Sequence, residues 1–449
     1  YKGLTGGFEG EFSSLPYFYK VREYNDYESR DLWSYELNLT DEQREKVIAH
    51  LWEMRQTTFD YYYLTENCSY HMLTLLDAAN SQWKLAERNP YFVVPVDTLR
   101  TIQKTPGLVG DITFRPSKRR VALTRIKQLN EKQENLFDRL IQSPQVKIAK
   151  RAKNSDLSPR DKAQVLDAAI DYIDFQYAED ILMKNSEWDD FKRKLLLTRA
   201  KLGVRSEKLH VPRPKDQLPH QGHKTKRAAI GIGDADVNGP YLRLDYRFTL
   251  HDFFDPDQGH NPTASMEMGN TQVRLYTDYQ NSGSQRASLE EFSLFRVTSL
   301  SPYQEYFSTW SWKIDVGYRT FRTLEKQETC ELCHGPYGLF GGGISFEGGN
   351  FLLSALLVGE TQVAKDLSHN GFLAGLGPEV MLTWNPLQGL KIGATLDYKK
   401  FWPSSKATED PRLIVAPKIR QAFGNSAIGL EGNLSPYEDQ VQLVYYHYL

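Results

Sequence analysis

The feature that most narrows the fold is a two-residue alternation that begins near residue 229 and recurs to the end of the chain. In "YLRLDYRFTL", Leu242, Leu244, Tyr246, Phe248 and Leu250 alternate with Arg243, Asp245, Arg247 and Thr249. In "TWSWKIDVGYRT", Trp310, Trp312, Ile314, Val316 and Tyr318 alternate with Ser311, Lys313, Asp315 and Arg319. "LKIGATLDYK" sets Leu390, Ile392, Ala394, Leu396 and Tyr398 against Lys391, Thr395, Asp397 and Lys399. Successive side chains of a strand point to opposite faces, so each segment reads as a strand with one apolar and one charged face.

Two architectures accept such strands. A soluble sandwich buries the apolar face between two sheets. A transmembrane barrel turns that face to lipid and the polar face to its lumen. Ion-pairable residues at consecutive polar positions, with aromatics on the apolar face, favour the barrel. The chain's 26 Tyr, 22 Phe and 8 Trp suit the interfacial belts of such a barrel. At roughly 17–20 residues per strand and turn, residues 229–449 hold about 12 antiparallel transmembrane strands. The last, "QVQLVYYHYL", runs to the C-terminus, ending on Leu449 where such barrels often carry an aromatic. "GGG" at 341–343 lies among strands, so it predicts close packing or a bend and not a phosphate loop.

The remainder is organised differently. Residues 1–117 mix short strands and helices, and 118–202 carry apolar residues at helical spacing, reading as a helical connector. Residues 203–228, "GVRSEKLHVPRPKDQLPHQGHKTKRA", form a basic Pro- and His-rich linker. The barrel takes 229–449. The longest apolar run, "FLLSALLVG", is too short for a spanning helix, which needs roughly 18 residues. A formal net charge of -2 offers no electrostatic reason to expect nucleic acid as a partner. Tyr1 opens directly into "YKGLTGGFEGEF", with no initiator Met or signal peptide, and the chain reads as a fragment.

Two helix starts stand out in the first 80 residues. Thr40 with Gln43 forms a capping box, and Val47, Ile48, Leu51 and Trp52 are expected to form the buried stripe of the helix behind it. In "TENCSYHMLTLLDAA", Asn67 is a good N-cap, and Met72, Leu75, Leu76 and Ala79 form an apolar stripe. Cys68 then lies in the first turn, where exposed N–H groups and the helix dipole favour a thiolate. On these residues alone Cys68 reads either as a nucleophile or as a small hydrophobe pointing into the core.

The wider strings resemble a known family. "NCSYHMLTLL" is similar to the Asn-Cys segment of lecithin retinol acyltransferase-like enzymes, a permuted NlpC-like branch of the papain-like fold. "KGLTGGFEGEFSSLPYFYKVREYNDYESRDLWSYELNLT", "FDYYYLTENCSYHMLTLLDAA", "PVDTLR" and "RPS" resemble the Lnb N-terminal periplasmic domain family over about residues 1–117. The resemblance implies an α+β papain-like thiol domain in the periplasm, attached to the outer membrane by the barrel. It further implies a Cys68 thioester formed from a phospholipid acyl donor and passed to a lipoprotein amine or to water. Asn67, Ser69 and Tyr70 match the family string as shapers of that site, and first-turn N–H groups are expected to hold the oxyanion. The family carries its histidine base ahead of the portion matching residue 1. His71, three residues after Cys68, is a weak candidate for that role. The same thiol would also serve a cell-wall peptidase or amidase, and a non-catalytic barrel with a docking domain is a third reading.

Other motifs carry less. Cys330, Cys333 and His334 spell C-x-x-C-H, for which a disulfide between the two cysteines, a metal site and haem attachment are all open, the disulfide being the simplest. His210, His220 and His223 are irregularly spaced among Pro and Lys, predicting a solvated loop whose cations could meet anionic lipid head groups. No cofactor or metal is expected.

Overall fold

The computed structural model describes residues 7–89, 92–182, 186–214, 217–277, 287–307, 309, 310–322, 334–364, 371–402 and 412–449. The chain divides into two compact units, 1–93 with 101–215, and 94–100 with 216–449.

The first unit begins with two small antiparallel pairs. β1 (Phe8–Gly10) pairs with β3 (Phe59–Tyr61), and β2 (Leu32–Leu37) pairs with β4 (Val109–Arg115). Helix Asp41–Met54 opens with the Thr40/Gln43 capping box, as its sequence predicts. Its stripe differs from expectation. Val47 and Leu51 are half-buried, but Ile48 and Trp52 are exposed. The helix packs against helix Cys68–Ala79. One such neighbour covers only a narrow seam, leaving the next positions around the helix uncovered.

Helix Cys68–Ala79 buries Leu73, Leu75, Leu76 and Ala79, while the predicted core residue Met72 is half exposed. Leu73 and Leu76 join Leu85 and Leu108 in a core that Leu37, Trp83 and Ile102 flank. That core lies on the Leu73 side of the helix. Met72 follows Cys68 by four residues, so the two share the opposite, outer face.

The described residues between 118 and 201 are mostly helical. The stretch read as one continuous pattern breaks between helix Lys118–Ile126 and helix Glu131–Ile141, because Asn130 and Gln133 form a second capping box. Helix Pro159–Gln176 runs through the centre, with Leu136, Phe137, Val165, Leu166, Ile173 and Phe191 fully buried.

The second unit is a closed antiparallel barrel. Its strands are β5 (Arg227–Ala235), β6 (Gly239–Arg247), β7 (Thr249–His251), β8 (Ala264–Tyr276), β9 (Ala287–Ser299), β10 (Ser311–Thr320) and β11 (His334–Gly348). They continue with β12 (Phe351–Val363), β13 (Phe372–Leu387), β14 (Leu390–Trp402), β15 (Arg412–Phe423), β16 (Ser426–Asn433) and β17 (Gln440–Tyr448). Every strand pairs with its sequence neighbour, β17 pairs with β5, and β6 and β7 both pair with β8. Since β6 and β7 are one stave interrupted at Phe248, the barrel has twelve staves, as the length argument expects. Closure leaves no edge with unpaired N–H and C=O groups, which hydrocarbon could not solvate.

The alternation sets the two surfaces. Leu244, Phe340, Leu357, Leu376, Leu396, Tyr398 and Leu443 stand exposed on the outside. Arg243, Asp245, Arg247, Glu360, Glu379, Lys391, Lys399 and Arg420 are buried within. An apolar girdle this extensive is untenable in water and matches a bilayer's hydrocarbon core. The soluble sandwich is thereby set aside. The glycines at 341–343 behave as predicted: a Cβ at Gly343 would come 2.2 Å from the Ala355 carbonyl oxygen, and one at Gly341 2.8 Å from Val358. No helix among the described residues is long and apolar enough to cross a membrane.

Candidate functional site

Asn67 builds the start of the Cys68 helix. It is extended, lies 5 % exposed, and its Oδ1 accepts from Ser69 N at 3.1 Å, Tyr70 N at 3.3 Å and Ser69 Oγ at 2.7 Å. Its Nδ2 donates to the carbonyls of Tyr63 at 3.1 Å and Val93 at 2.7 Å. A buried amide with donors and acceptor all engaged is a rigid post. It fixes the helix N-terminus against two other segments of the same unit.

Cys68 is the first helical residue and is exposed. The reading in which it points into the core is therefore set aside. The Tyr61 side chain, at the end of β3, interacts electrostatically with Cys68. Burial, and then the neighbouring thiol, hold that phenol above its ordinary range, so it stays a neutral O–H donor. Sequence reasoning overlooked Tyr61. It is the first of three consecutive tyrosines, and nothing in the local sequence sets it apart from the other two.

The expected oxyanion donors are differently committed. Ser69 N and Tyr70 N already bond Asn67 Oδ1, so the helix start does not offer them freely.

His71 is not joined to Cys68. Its ring stacks on Phe59 at 3.8 Å between centroids and also meets Phe12 and Tyr70. Its Nε2 is buried without a hydrogen-bond partner. Burial lowers its pKa, with Glu66 opposing. His50 lies 3.6 Å from Glu53 on the preceding helix. Among the described residues, no histidine hydrogen-bonds the thiol.

The barrel lumen holds charge of another kind. The segment between β7 and β8 turns inward, and Asp255, 1 % exposed, meets Arg247 at 2.7 Å, Arg420 at 2.7 Å, Arg227 at 3.0 Å and the Tyr448 hydroxyl at 2.7 Å. Arg420 also binds Asp252 at 3.0 Å, and Phe254 packs beneath Lys418. This ion network crosses the lumen at the end where the chain enters and leaves the barrel.

His223 corrects the linker reading, since it is buried and not solvated. Its ring lies 4.3 Å from His260 and 4.5 Å from Tyr448, and His260 lies 4.4 Å from His251. The rings are tilted to one another by 32° to 37°. No metal-holding group of three His, Cys, Asp or Glu exists among the described residues. Cys330 and Cys333 lie outside the described residues.

Comparison with known proteins agrees with this division. A family model described as Domain of unknown function (DUF7840) matches residues 216–448, just over half of the chain. The Lnb N-terminal periplasmic domain matches residues 1–105, and Domain of unknown function (DUF7842) matches 112–211. No curated protein matches the chain by sequence. Among solved structures, the KdgM porin is similar at 11% identity and a TM-score of 0.27, over 50% of this chain and 99% of its own. LpxR from Salmonella typhimurium is similar at 10% and 0.29, over 50% and 100%. Outer membrane phospholipase A from Escherichia coli is similar at 8% and 0.26, over 50% and 97%. The girdle and the closed strand ladder, together with the periplasmic domain, make this an outer-membrane barrel whose N-terminal domain lies in the periplasm.

Proposed function

The chain belongs to the family described as Domain of unknown function (DUF7840) and carries an Lnb N-terminal periplasmic domain ahead of its barrel, and from that premise we propose that it is a thiol-dependent acyltransferase or acyl hydrolase. Its donor is a phospholipid and its acceptor a lipoprotein amine or water. The observation that carries this reading is the exposed Cys68 at an Asn67-capped helix start, with Tyr61 as its electrostatic neighbour.

The chemistry runs in two halves. Sγ of Cys68 attacks the ester carbonyl, the S–acyl bond forms as the ester C–O bond breaks, and the thiol proton ends on the lysolipid hydroxyl. Tyr61 donates to the developing oxyanion. Attack by an amine then yields an amide and restores the thiol, whereas attack by water releases a fatty acid. The outer-membrane barrel supports the choice of donor, because it keeps the domain beside the leaflet that supplies such esters. The role of the barrel as a channel is disfavoured by the Asp255 network across the lumen.

The test is mass spectrometry of the full-length protein after incubation with phospholipid. A hydroxylamine-sensitive acyl adduct on Cys68, absent from Cys68→Ala, is expected. Cleavage of peptidoglycan peptides with no acyl adduct would transfer the thiol to the peptidase reading.

A further inference from the structure

Twelve staves return the chain to the end at which it entered, so the β11–β12, β13–β14 and β15–β16 turns all lie at the periplasmic rim. Between these turns and the inward segment that follows β7 lies a cavity of about 830 Å³. That size falls within the range of small-molecule sites. Its two ends differ in chemistry.

The inner end is polar and leaves one acceptor unpaired. Asn385 Nδ2 donates to Asp257 Oδ2 at 2.9 Å, which fixes the orientation of the amide. Asn385 Oδ1 is then buried with no donor facing it. The Asp257 carboxylate beside it is about one-third exposed. Lys391, 6 % exposed, gives Nζ hydrogens to Asp257 and to the Phe253 carbonyl, leaving one of its three. A buried acceptor beside a carboxylate calls for a cationic N–H donor, and the remaining lysine hydrogen calls for an anion.

The outer end is apolar. Leu387 is 69 % exposed, and Phe423 continues the outward series of Leu413 and Ile419 on β15. That series faces the bilayer, so the cavity opens along the edge of the periplasmic leaflet.

We propose that this cavity binds the head group of a zwitterionic aminophospholipid from the periplasmic leaflet. The primary ammonium sits between Asp257 and Asn385 Oδ1, the phosphate takes the free Lys391 hydrogen, and the acyl chains leave over Leu387 and Phe423. A quaternary ammonium has no N–H to give, and a glycerol head group has no cation, so both fit the inner end worse. The site is independent of Cys68 and stands whether or not the thiol transfers acyl groups.

The experiment is native mass spectrometry of the full-length protein in detergent, titrated in turn with phosphatidylethanolamine, phosphatidylcholine and phosphatidylglycerol. One phosphatidylethanolamine per chain is expected, retained about ten-fold more strongly than the other two. Asp257→Asn should lower retention about ten-fold, and Cys68→Ala should leave it unchanged. Because Asp257 also tethers the inward segment, Gln388→Trp, at an exposed turn position lining the cavity, supplies a second variant and should block binding sterically. Equal retention of all three lipids, or retention unaltered by Gln388→Trp, overturns the site. Displacement by soluble glycerophosphoethanolamine at lipid-equivalent concentration overturns the membrane lipid as its occupant.

Discussion

Tyr61 interacts electrostatically with Cys68, linking the end of a three-residue strand to the first residue of a helix. Under the proposed mechanism Tyr61 supplies the oxyanion donor that the committed N–H groups of Ser69 and Tyr70 do not.

Tyr61→Phe keeps the ring and removes the donor. If Tyr61 holds the oxyanion, the rate of acyl-adduct formation on Cys68 should fall about ten-fold or more, with little change in thermal midpoint. Single-turnover kinetics followed by intact-protein mass spectrometry measure it. An unchanged rate would confine Tyr61 to packing.

Asn67→Ala removes a helix cap and leaves the Val93 carbonyl without its donor inside the fold. A loss of about 2 kcal/mol or more is expected for the N-terminal unit. Asn67→Asp keeps the cap acceptor but loses both amide donors, so it should rescue only part of the loss. Denaturant midpoints followed through hydrogen exchange in helix Cys68–Ala79 separate the two variants.

His71 makes the same helix acid-sensitive. Burial lowers its folded pKa below the ordinary value of about 6.5, so the unfolded chain takes up the proton first as pH falls. Stability of this unit should be flat above about pH 7 and decline as pH drops below about 6.5. His71→Phe should flatten that decline. Hydrogen exchange of residues 68–79 at pH 7.5 and 5.5 reads the difference.

Asp255→Ala removes the carboxylate that Arg227, Arg247 and Arg420 share, leaving them with Asp252, Glu267 and Glu431 and one negative charge fewer. A cost of about 3–5 kcal/mol is expected, because removing one partner of a buried ion network leaves uncompensated charge. The heat-modifiable mobility of the barrel on gels should shift to lower temperature. In planar bilayers the native protein should pass little current, and opening in the variant would identify the segment after β7 as the seal.

The alternation of residues 229–449 was enough to read a barrel and to assign its faces. Arg243, Asp245, Lys391 and Lys399 point inward as their parity requires. Helix starts were legible for the same reason, since a cap and its Gln or amide partner lie within three residues. The stripe of helix Asp41–Met54 and the burial of Met72 were misread, because periodicity gives a helix a face but not the extent of its neighbour.

What the sequence by itself determined is local: strand parity, stave number, capped helix ends and the place of Cys68 in a first turn. Tertiary structure alone decided which groups meet. Arg243 reaches Glu431 at 2.7 Å across 188 residues, and Asp255 meets Arg420 only because the ring closes and the segment after β7 folds inward. Periodicity records a residue's direction relative to its own backbone, whereas a contact depends on register and closure, which many distant residues set together.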